Sequence, residues 1–91
     1  MTVMLCRNRV EDFARWKAVF DSHLEAQEDA GIRLQRMWRE LDDPDNVFFL
    51  FEVIDLDRAR AFISSPEAAE AGTASGVIDG EIHFLESYPG D

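Results

Sequence analysis

Few side chains in this sequence could move a proton at neutral pH. The chain has two histidines, His23 and His83, a single cysteine, Cys6, and a glutamate, Glu52, that interrupts an otherwise apolar run. Histidine is suited to proton transfer because its ordinary pKa is about 6.5. A carboxylate at the wall of an apolar pocket can act as a general base when burial raises its pKa. We therefore select Glu52 and His83 as candidate catalytic residues.

Both candidates also have a structural interpretation. A buried carboxylate is costly unless it is paired, and Arg7 or Arg36 could provide an ion pair for Glu52. His83 could be a half-buried strand residue that faces either an interface or its rim. His23 is expected to pack at the edge of an apolar helix stripe.

The sequence lacks the motifs of several common sites. It contains no glycine-rich phosphate loop, no G-x-S-x-G, no H-E-x-x-H and no C-x-x-C. One cysteine and two isolated histidines do not give the usual zinc spacings, and a lone cysteine cannot form an internal disulfide. We expect no metal, no cofactor and a reducing cytoplasmic location, with Cys6 a buried small apolar residue.

The charge disfavours two classes of partner. Nineteen acidic residues against nine basic ones give a formal net charge of -10, which repels nucleic acid and anionic membrane surfaces. No apolar run approaches the ~18 residues of a membrane span, and the run at the start is too short for a signal peptide. We expect a soluble protein with neither nucleic acid nor membrane as a partner.

The apolar spacing predicts six elements in one domain, residues 1–91. They are a strand over 2–9, a helix from 13 to the Gly31 stop, strands over 32–40 and 47–54 joined by a turn at 42–46, a helix that Asp55 or Asp57 caps and that breaks near 64–66, and a strand over 80–88. This order, β-α-β-β-α-β, is that of the ferredoxin-like α+β fold. In that fold both helices lie on one face of a four-stranded antiparallel sheet.

The third predicted strand is apolar on both faces. Val47, Phe49, Phe51 and Val53 alternate with Phe48, Leu50 and Ile54, whereas a solvated face would carry polar residues. The helices cover one face, and we call the other the open face. An exposed apolar patch of this kind usually marks an interface or a ligand site. We predict a homodimer whose two open faces pack together.

Three segments carry a resemblance to a known family. They are V-E-D-F-x-x-W-K-x-x-F-D at 10–21, D-D-P-D-N-V at 42–47, and D-L-x-x-A-x-A-F-x-x-S-P-E at 55–67 with Gly76-Val77 beyond it. Over residues 10–86 the sequence resembles the small antibiotic biosynthesis monooxygenase-like and cyclase-like proteins of the dimeric α+β barrel superfamily. The resemblance implies a dimer whose two sheets form a barrel around, or beside, an apolar ligand pocket.

The same resemblance implies a range of activities. Relatives include cofactor-independent monooxygenases of aromatic polyketides and quinols, haem-degrading enzymes, lactone isomerases, cyclases and ligand-sensing domains. In a cofactor-free monooxygenase the electron-rich substrate itself reacts with oxygen, and the protein supplies binding, exclusion of water and a proton acceptor. The haem-degrading branch needs a helical histidine. Only His23 could serve, without any accompanying signature, so haem is not expected.

Two functions stay open on this basis. The first is a homodimer that binds a small apolar or aromatic molecule, with cofactor-independent monooxygenase activity. In it Glu52 or His83 accepts the proton, and the residues assigned to the substrate are Trp38, Phe48 and Leu50 as pocket walls and Arg36 or Asn8 as the group that orients a substrate oxygen. The second is a non-catalytic dimeric structural or ligand-sensing module.

Overall fold

A computed structural model of the chain describes residues 1–88, which place a layer of helices on one face of a four-stranded antiparallel sheet. The elements are β1 (Thr2–Val10), α1 (Phe13–Ser22), α2 (Leu24–Asp29), β2 (Ile32–Arg39), β3 (Asn46–Val53), α3 (Leu56–Ile63), α4 (Pro66–Ser75) and β4 (Val77–Glu86). The strands lie in the order β2-β3-β1-β4. This is the predicted ferredoxin-like arrangement, and the predicted break in the second helix lies between α3 and α4.

The first predicted helix is two helices that meet at His23. The backbone N–H of His23 donates to the carbonyl of Phe20, three residues back, instead of to Val19. The Val19 carbonyl accepts hydrogen bonds from the Ser22 hydroxyl at 2.6 Å and from His23 Nδ1 at 2.8 Å instead. Side chains that compete for a backbone carbonyl in this way interrupt a helix. The prediction of one continuous helix was therefore wrong.

The helix starts agree with the sequence. Asp12 accepts a hydrogen bond from the N–H of Ala14 at the start of α1, and Asp55, rather than Asp57, accepts one from Arg58 at the start of α3. Ser65 caps α4, with Pro66 in its first turn. The last strand begins at Val77, three residues earlier than predicted, because Val77 pairs with Val10 beyond a shift in register.

An aromatic cluster anchors α1 to the middle of the sheet. Trp16 and Phe20 of α1 stack with ring centroids 4.9 Å apart, and each lies 5.4 Å from the ring of Phe49 on β3. Phe51 adds an edge contact to Phe49 at 5.7 Å. All four side chains are buried, and burial of each contributes about 1.5–3 kcal/mol. The core therefore lies between α1 and the sheet.

Strand pairing fixes which side chains share the open face. Leu5 on β1 lies opposite Leu50 on β3 and His83 on β4, and Trp38 on β2 lies opposite Phe48. None of these five side chains is buried. The two-faced apolar character predicted for the third strand is thus present, with Phe48 and Leu50 on the side away from the helices.

Gly31 gives a test of the turn from α2 into β2. Its φ is +79°, and a Cβ added there would lie 2.8 Å from the Cβ of Asp55. Because both the backbone and the space exclude a side chain, Gly31→Ala should lower the free energy of unfolding by about 2 kcal/mol. Urea unfolding at pH 7 measures this change.

Gly72 in α4 is the matched control. A Cβ at Gly72 meets nothing within 4 Å, so Gly72→Ala should raise the free energy of unfolding by about 0.5–1 kcal/mol through its better helix propensity. Equal effects of the two substitutions would contradict this account of the turn.

Candidate functional site

A cavity of about 360 Å³ lies between the helices and the sheet. It is far larger than the ~10–15 Å³ that holds one water, and it falls within the ~300–1,000 Å³ of typical ligand pockets. Met4 and Cys6 of β1 and Ile82 of β4 lie on its sheet side. The space is therefore large enough for a small organic molecule.

The residues of α4 explain why the cavity is there. Apart from Glu67 in its first turn, its cavity-lining residues recur at helical spacing and are small: Ala68, Ala71, Gly72 and Ser75. Such side chains cannot reach the sheet as the rings of α1 do, and the empty space around the Cα of Gly72 shows the result. The cavity follows from the sequence of one helix face.

The walls of the cavity are mostly aromatic and aliphatic. Trp16 and Phe20 of α1, Phe49 and Phe51 of β3, and Phe62 of α3 all line it. Rings pack well against other rings, with favourable offset or edge-on contacts. The cavity is therefore suited to a flat apolar molecule.

Gln27 and His23 are two polar side chains at the α2 wall of the cavity. The N–H of Gln27 donates to the carbonyl of His23 at 2.9 Å, so the two residues are one helical turn apart on the same face. Gln27 is buried, and its Oε1 has no hydrogen-bond partner within residues 1–88. A buried acceptor without a partner is rare in folded proteins.

The hydrogen bond of His23 determines its tautomer. A carbonyl oxygen can only accept, so the 2.8 Å contact with the Val19 carbonyl requires the proton on Nδ1. In the neutral ring Nε2 then carries the lone pair and can accept a proton. The hydrogen bond that interrupts the helix therefore leaves Nε2 as the basic nitrogen of the neutral His23 ring.

Cys6 is an uncharged side chain in the wall of the cavity. Its side chain is buried in the core, and desolvation by burial raises the pKa of the thiol to about 12. The thiol stays protonated at neutral pH, and a thiol without thiolate is a poor nucleophile. The prediction that Cys6 is a buried small apolar residue is confirmed.

Asn8 is the one predicted site residue that lines this cavity. It is half-buried on β1, opposite Gly80 on β4. A Cβ on Gly80 would lie 2.5 Å from Asn8 Oδ1. Gly80 therefore makes the room in which the amide of Asn8 sits.

The other six predicted site residues share the open face, on the opposite side of the sheet. They are Arg36, Trp38, Phe48, Leu50, Glu52 and His83. Arg36 lies opposite Leu50, and Glu52 lies opposite Arg33 and Val3. The structure thus brings these six onto one surface and separates them from the cavity by the thickness of the sheet.

His83 belongs to a charged cluster on this surface. His83 Nε2 lies 2.8 Å from Glu81 Oε2, and Arg7 contacts Glu81 at 2.8 Å and Asp79 at 3.0 Å. The hydrogen bonds from His83 and then from Arg7 lower the pKa of Glu81. Beside the cluster is a hollow of about 120 Å³ that Leu5 and Phe48 help to line. The guanidinium of Arg7 is therefore engaged with Glu81 and Asp79 rather than with Glu52.

His23 and Gln27 were missed as site residues in the sequence. Gln27 falls seven residues after Phe20, on the apolar stripe of the first predicted helix, where a polar residue is itself a signal. The small residues at three-to-four spacing in α4 were a second signal in the sequence, one that indicates unfilled space beneath this helix.

The described residues form neither a metal-binding cluster nor a membrane-spanning helix. No group of three or more His, Cys, Asp or Glu side chains in residues 1–88 could hold a metal ion. Within the same part of the chain, no helix is both long enough and apolar enough to cross a membrane.

Comparison with known proteins gives matches in structure only. No protein-family model matches the sequence, and no curated protein matches it. A protein from Bordetella bronchiseptica that carries antibiotic biosynthesis monooxygenase as a provisional name matches with a TM-score of 0.77, at 13% identity over 96% of each chain. SnoaB, a cofactor-independent oxygenase from Streptomyces nogalater solved as a mutant, matches with a TM-score of 0.74 at 18% identity, over 94% of this chain and 91% of that one.

A third match extends over the entire chain. A protein from Deinococcus radiodurans, again with antibiotic biosynthesis monooxygenase as its provisional name, covers 100% of this chain and 96% of its own, with a TM-score of 0.73 at 14% identity. Identities this low establish the fold alone. The chain therefore has the ferredoxin-like fold of antibiotic biosynthesis monooxygenase-like proteins, which confirms the resemblance seen in the sequence.

Proposed function

We propose that the protein is a homodimer that binds a small aromatic molecule in the helix–sheet cavity and oxidises it with molecular oxygen, without a cofactor. The observation that carries this proposal is the cavity of about 360 Å³, with aromatic walls and a few polar side chains at its edge. Pockets of this size and character are where proteins bind small molecules. SnoaB, which shares the fold, supports the class of reaction.

The reaction needs a substrate that supplies all the electrons. For an anthrone, the ring methylene and one O₂ become a carbonyl and one water, so no external reductant is required. The slow step that a protein can assist is removal of a proton, which leaves an electron-rich carbanion for oxygen to attack. The protein then has to bind the ring system, exclude water and hold the proton.

His23 is our proposed proton acceptor for this cavity. Its Nδ1–H is held by the Val19 carbonyl, which leaves Nε2 as the basic atom of the neutral ring. The imidazolium can return the proton to the oxygen that leaves as water. Asn8, on the sheet side of the same cavity, is proposed to orient a substrate oxygen.

The open face offers a second arrangement. There Glu52 or His83 would accept the proton, and Trp38, Phe48, Leu50 and Arg36 would surround a ligand enclosed between two chains. The hollow of about 120 Å³ beside His83 supports this alternative, although it is the smaller space. The two arrangements call for different histidines, so substitution distinguishes them.

Oxygen uptake with anthrone and with 1,4-dihydroxynaphthalene tests the proposal. We expect the wild type to exceed the uncatalysed rate and His23→Gln to lose about 100-fold of that activity, since a general base contributes ~10²–10⁴. Ala71→Leu should lower activity because the larger side chain takes up part of the cavity. An oxygen electrode measures the rates.

Three variants serve as controls for this experiment. His83→Gln and Glu52→Gln change the open face, and Ala69→Leu adds the same bulk at an exposed position of α4. All three should keep wild-type rates. Loss of activity in His83→Gln or Glu52→Gln, with His23→Gln active, would contradict the cavity assignment in favour of the open face. Ligand binding without any oxygen uptake would identify a ligand-binding module.

The apolar open face supports the homodimer. Trp38 is 44% exposed and Leu85 45% exposed in the single chain, next to half-buried Leu5, Phe48 and Leu50. Packing two such faces together would bury these side chains. Every ~100 Å² of apolar area buried in this way would stabilise the dimer by about 2.5 kcal/mol. The cavity on the other side of the sheet would stay accessible to a ligand.

Sedimentation velocity at micromolar concentration tests the dimer. We expect twice the chain mass for the wild type and the monomer mass for Leu50→Glu, because a carboxylate in the apolar interface would lose its hydration. Leu41→Glu, at a position 97% exposed in the β2–β3 hairpin, should remain dimeric. A well-folded wild-type monomer would rule the dimer out.

A further inference from the structure

Two guanidinium groups on the open face have no charge partner. Arg33 and Arg36 are exposed on β2, and within residues 1–88 neither takes part in a salt bridge. The proposed homodimer would bury the face that carries them. Burial of a charge is strongly unfavourable unless an opposite charge pairs with it. The second chain therefore has to bring acidic side chains to β2.

Acidic side chains lie at the opposite edge of the same face. β2 and β4 are the two edge strands of the sheet. On the open face β2 presents Arg33 and Arg36, whereas β4 presents Asp79, Glu81 and His83. One edge of the open face is therefore basic, and the other is mainly acidic.

Two identical sheets with aligned strands can pack face to face around a two-fold axis in two ways. An axis perpendicular to the strands lays β2 over the partner's β2, so that basic edge meets basic edge. An axis parallel to the strands lays β2 over the partner's β4, so that each basic edge meets an acidic one. Like charges that face each other across an interface are unfavourable. The charges therefore favour the axis parallel to the strands.

An axis parallel to the strands also keeps each residue at its own level, where a level is a row of residues that lie opposite one another across the sheet. Trp38 lies opposite Phe48, Phe48 opposite Arg7, and Arg7 opposite Glu81. The partner's Trp38 therefore arrives above β4 at the level of Glu81. The hollow of about 120 Å³ is at this level, because Arg7, Phe48 and Glu81 all line it.

An indole ring suits both the size and the chemistry of this hollow. Trp38 is 44% exposed in the single chain. One water needs ~10–15 Å³, so about 120 Å³ has room for roughly eight to twelve atoms of that size, which is the size of an indole ring. Leu5 and Phe48 offer apolar contacts, and the carboxylate of Glu81 can accept the indole N–H.

We infer that each chain of the dimer places its Trp38 in the hollow of the other, with the two-fold axis parallel to the strands and Arg36 beside the other chain's Glu81. Arg36 is at the level of His83, which contacts Glu81 at 2.8 Å. This inference rests on the proposed homodimer and specifies how the second copy covers the open face. A hollow filled by an indole ring is closed to a ligand, which favours the helix–sheet cavity as the binding site.

Carbodiimide cross-linking of Arg36→Lys tests this arrangement. The reagent joins an amine to a carboxylate only where the two are in contact. β2 and β4 are three strand spacings apart, about 14 Å, which is beyond the reach of the two side chains within one chain. We expect the new lysine to be joined to Glu81 of the partner subunit, detected by mass spectrometry of the tryptic peptides.

The chain supplies its own controls. Lys17, the one lysine of the wild-type sequence, lies 2.7 Å from both carboxylate oxygens of Asp21 and should be joined to it in every sample. Arg39→Lys places a lysine on β2 opposite Val47, on the helix side of the sheet, and should give no link to β4.

Trp38→Ala tests the hollow separately. Tryptophan is among the residues whose loss costs an interface most, so we expect the dimer Kd to rise at least about ten-fold. Sedimentation velocity over a dilution series measures this Kd, and circular dichroism checks that the variant is folded.

The outcomes separate this inference from the proposed homodimer. A wild-type chain that stays monomeric overturns both. A stable dimer in which the new lysine joins no carboxylate of β4 overturns the arrangement and leaves the homodimer standing. A Trp38→Ala dimer with an unchanged Kd overturns the role of Trp38 in the hollow.

Discussion

The inner face of α4 is too small to fill the space above the sheet, and the candidate site depends on this mismatch. The rings of Trp16 and Phe20 hold α1 against β3, which fixes the height of the helix layer. At that height Ala71 and Gly72 leave the cavity of about 360 Å³. A protein interior is normally packed as densely as an organic crystal. The space beneath α4 is therefore a departure from normal interior packing.

Hydrogen bonds to the Val19 carbonyl position the polar side chains at the α2 wall of the cavity. Ser22 and His23 both bond the Val19 carbonyl, and the helix breaks there into α1 and α2. The hydrogen bond to the Val19 carbonyl sets the His23 tautomer, and α2, which begins after the break, buries Gln27. One local competition for a carbonyl oxygen thus produces a candidate base and a buried acceptor within one turn of each other.

Much of the fold could be predicted from the sequence because it depends on short-range patterns. Alternation along β3 correctly separated Phe49 from Phe48 and Leu50, and the cap at Asp55 and the break near 64–66 are local signals that the structure bears out. The break at His23 was not predictable from periodicity, since the apolar stripe of the first predicted helix runs through it without interruption. It depends on side-chain hydrogen bonds that compete with the backbone.

The site was predicted less well than the fold, for a related reason. Alternation tells which residues share a face, and it placed Glu52 with Phe48 and Leu50 correctly, yet it does not reveal unfilled volume on the other face. A cavity depends on the heights of packed side chains from three elements at once. Asn8 is the predicted residue that lies on the cavity side. It shares that face of β1 with Met4 and Cys6, because every second residue of a strand points to the same side.

¹⁹F NMR of the protein labelled with 5-fluorotryptophan tests most directly where an aromatic ligand binds. The chain has two tryptophans, Trp16 on the cavity wall and Trp38 on the open face, and Trp38→Phe assigns the two resonances. We predict that 1-naphthol shifts the Trp16 resonance and leaves that of Trp38 in place. A shift confined to Trp38 would contradict the account and place the ligand between the sheets of two chains.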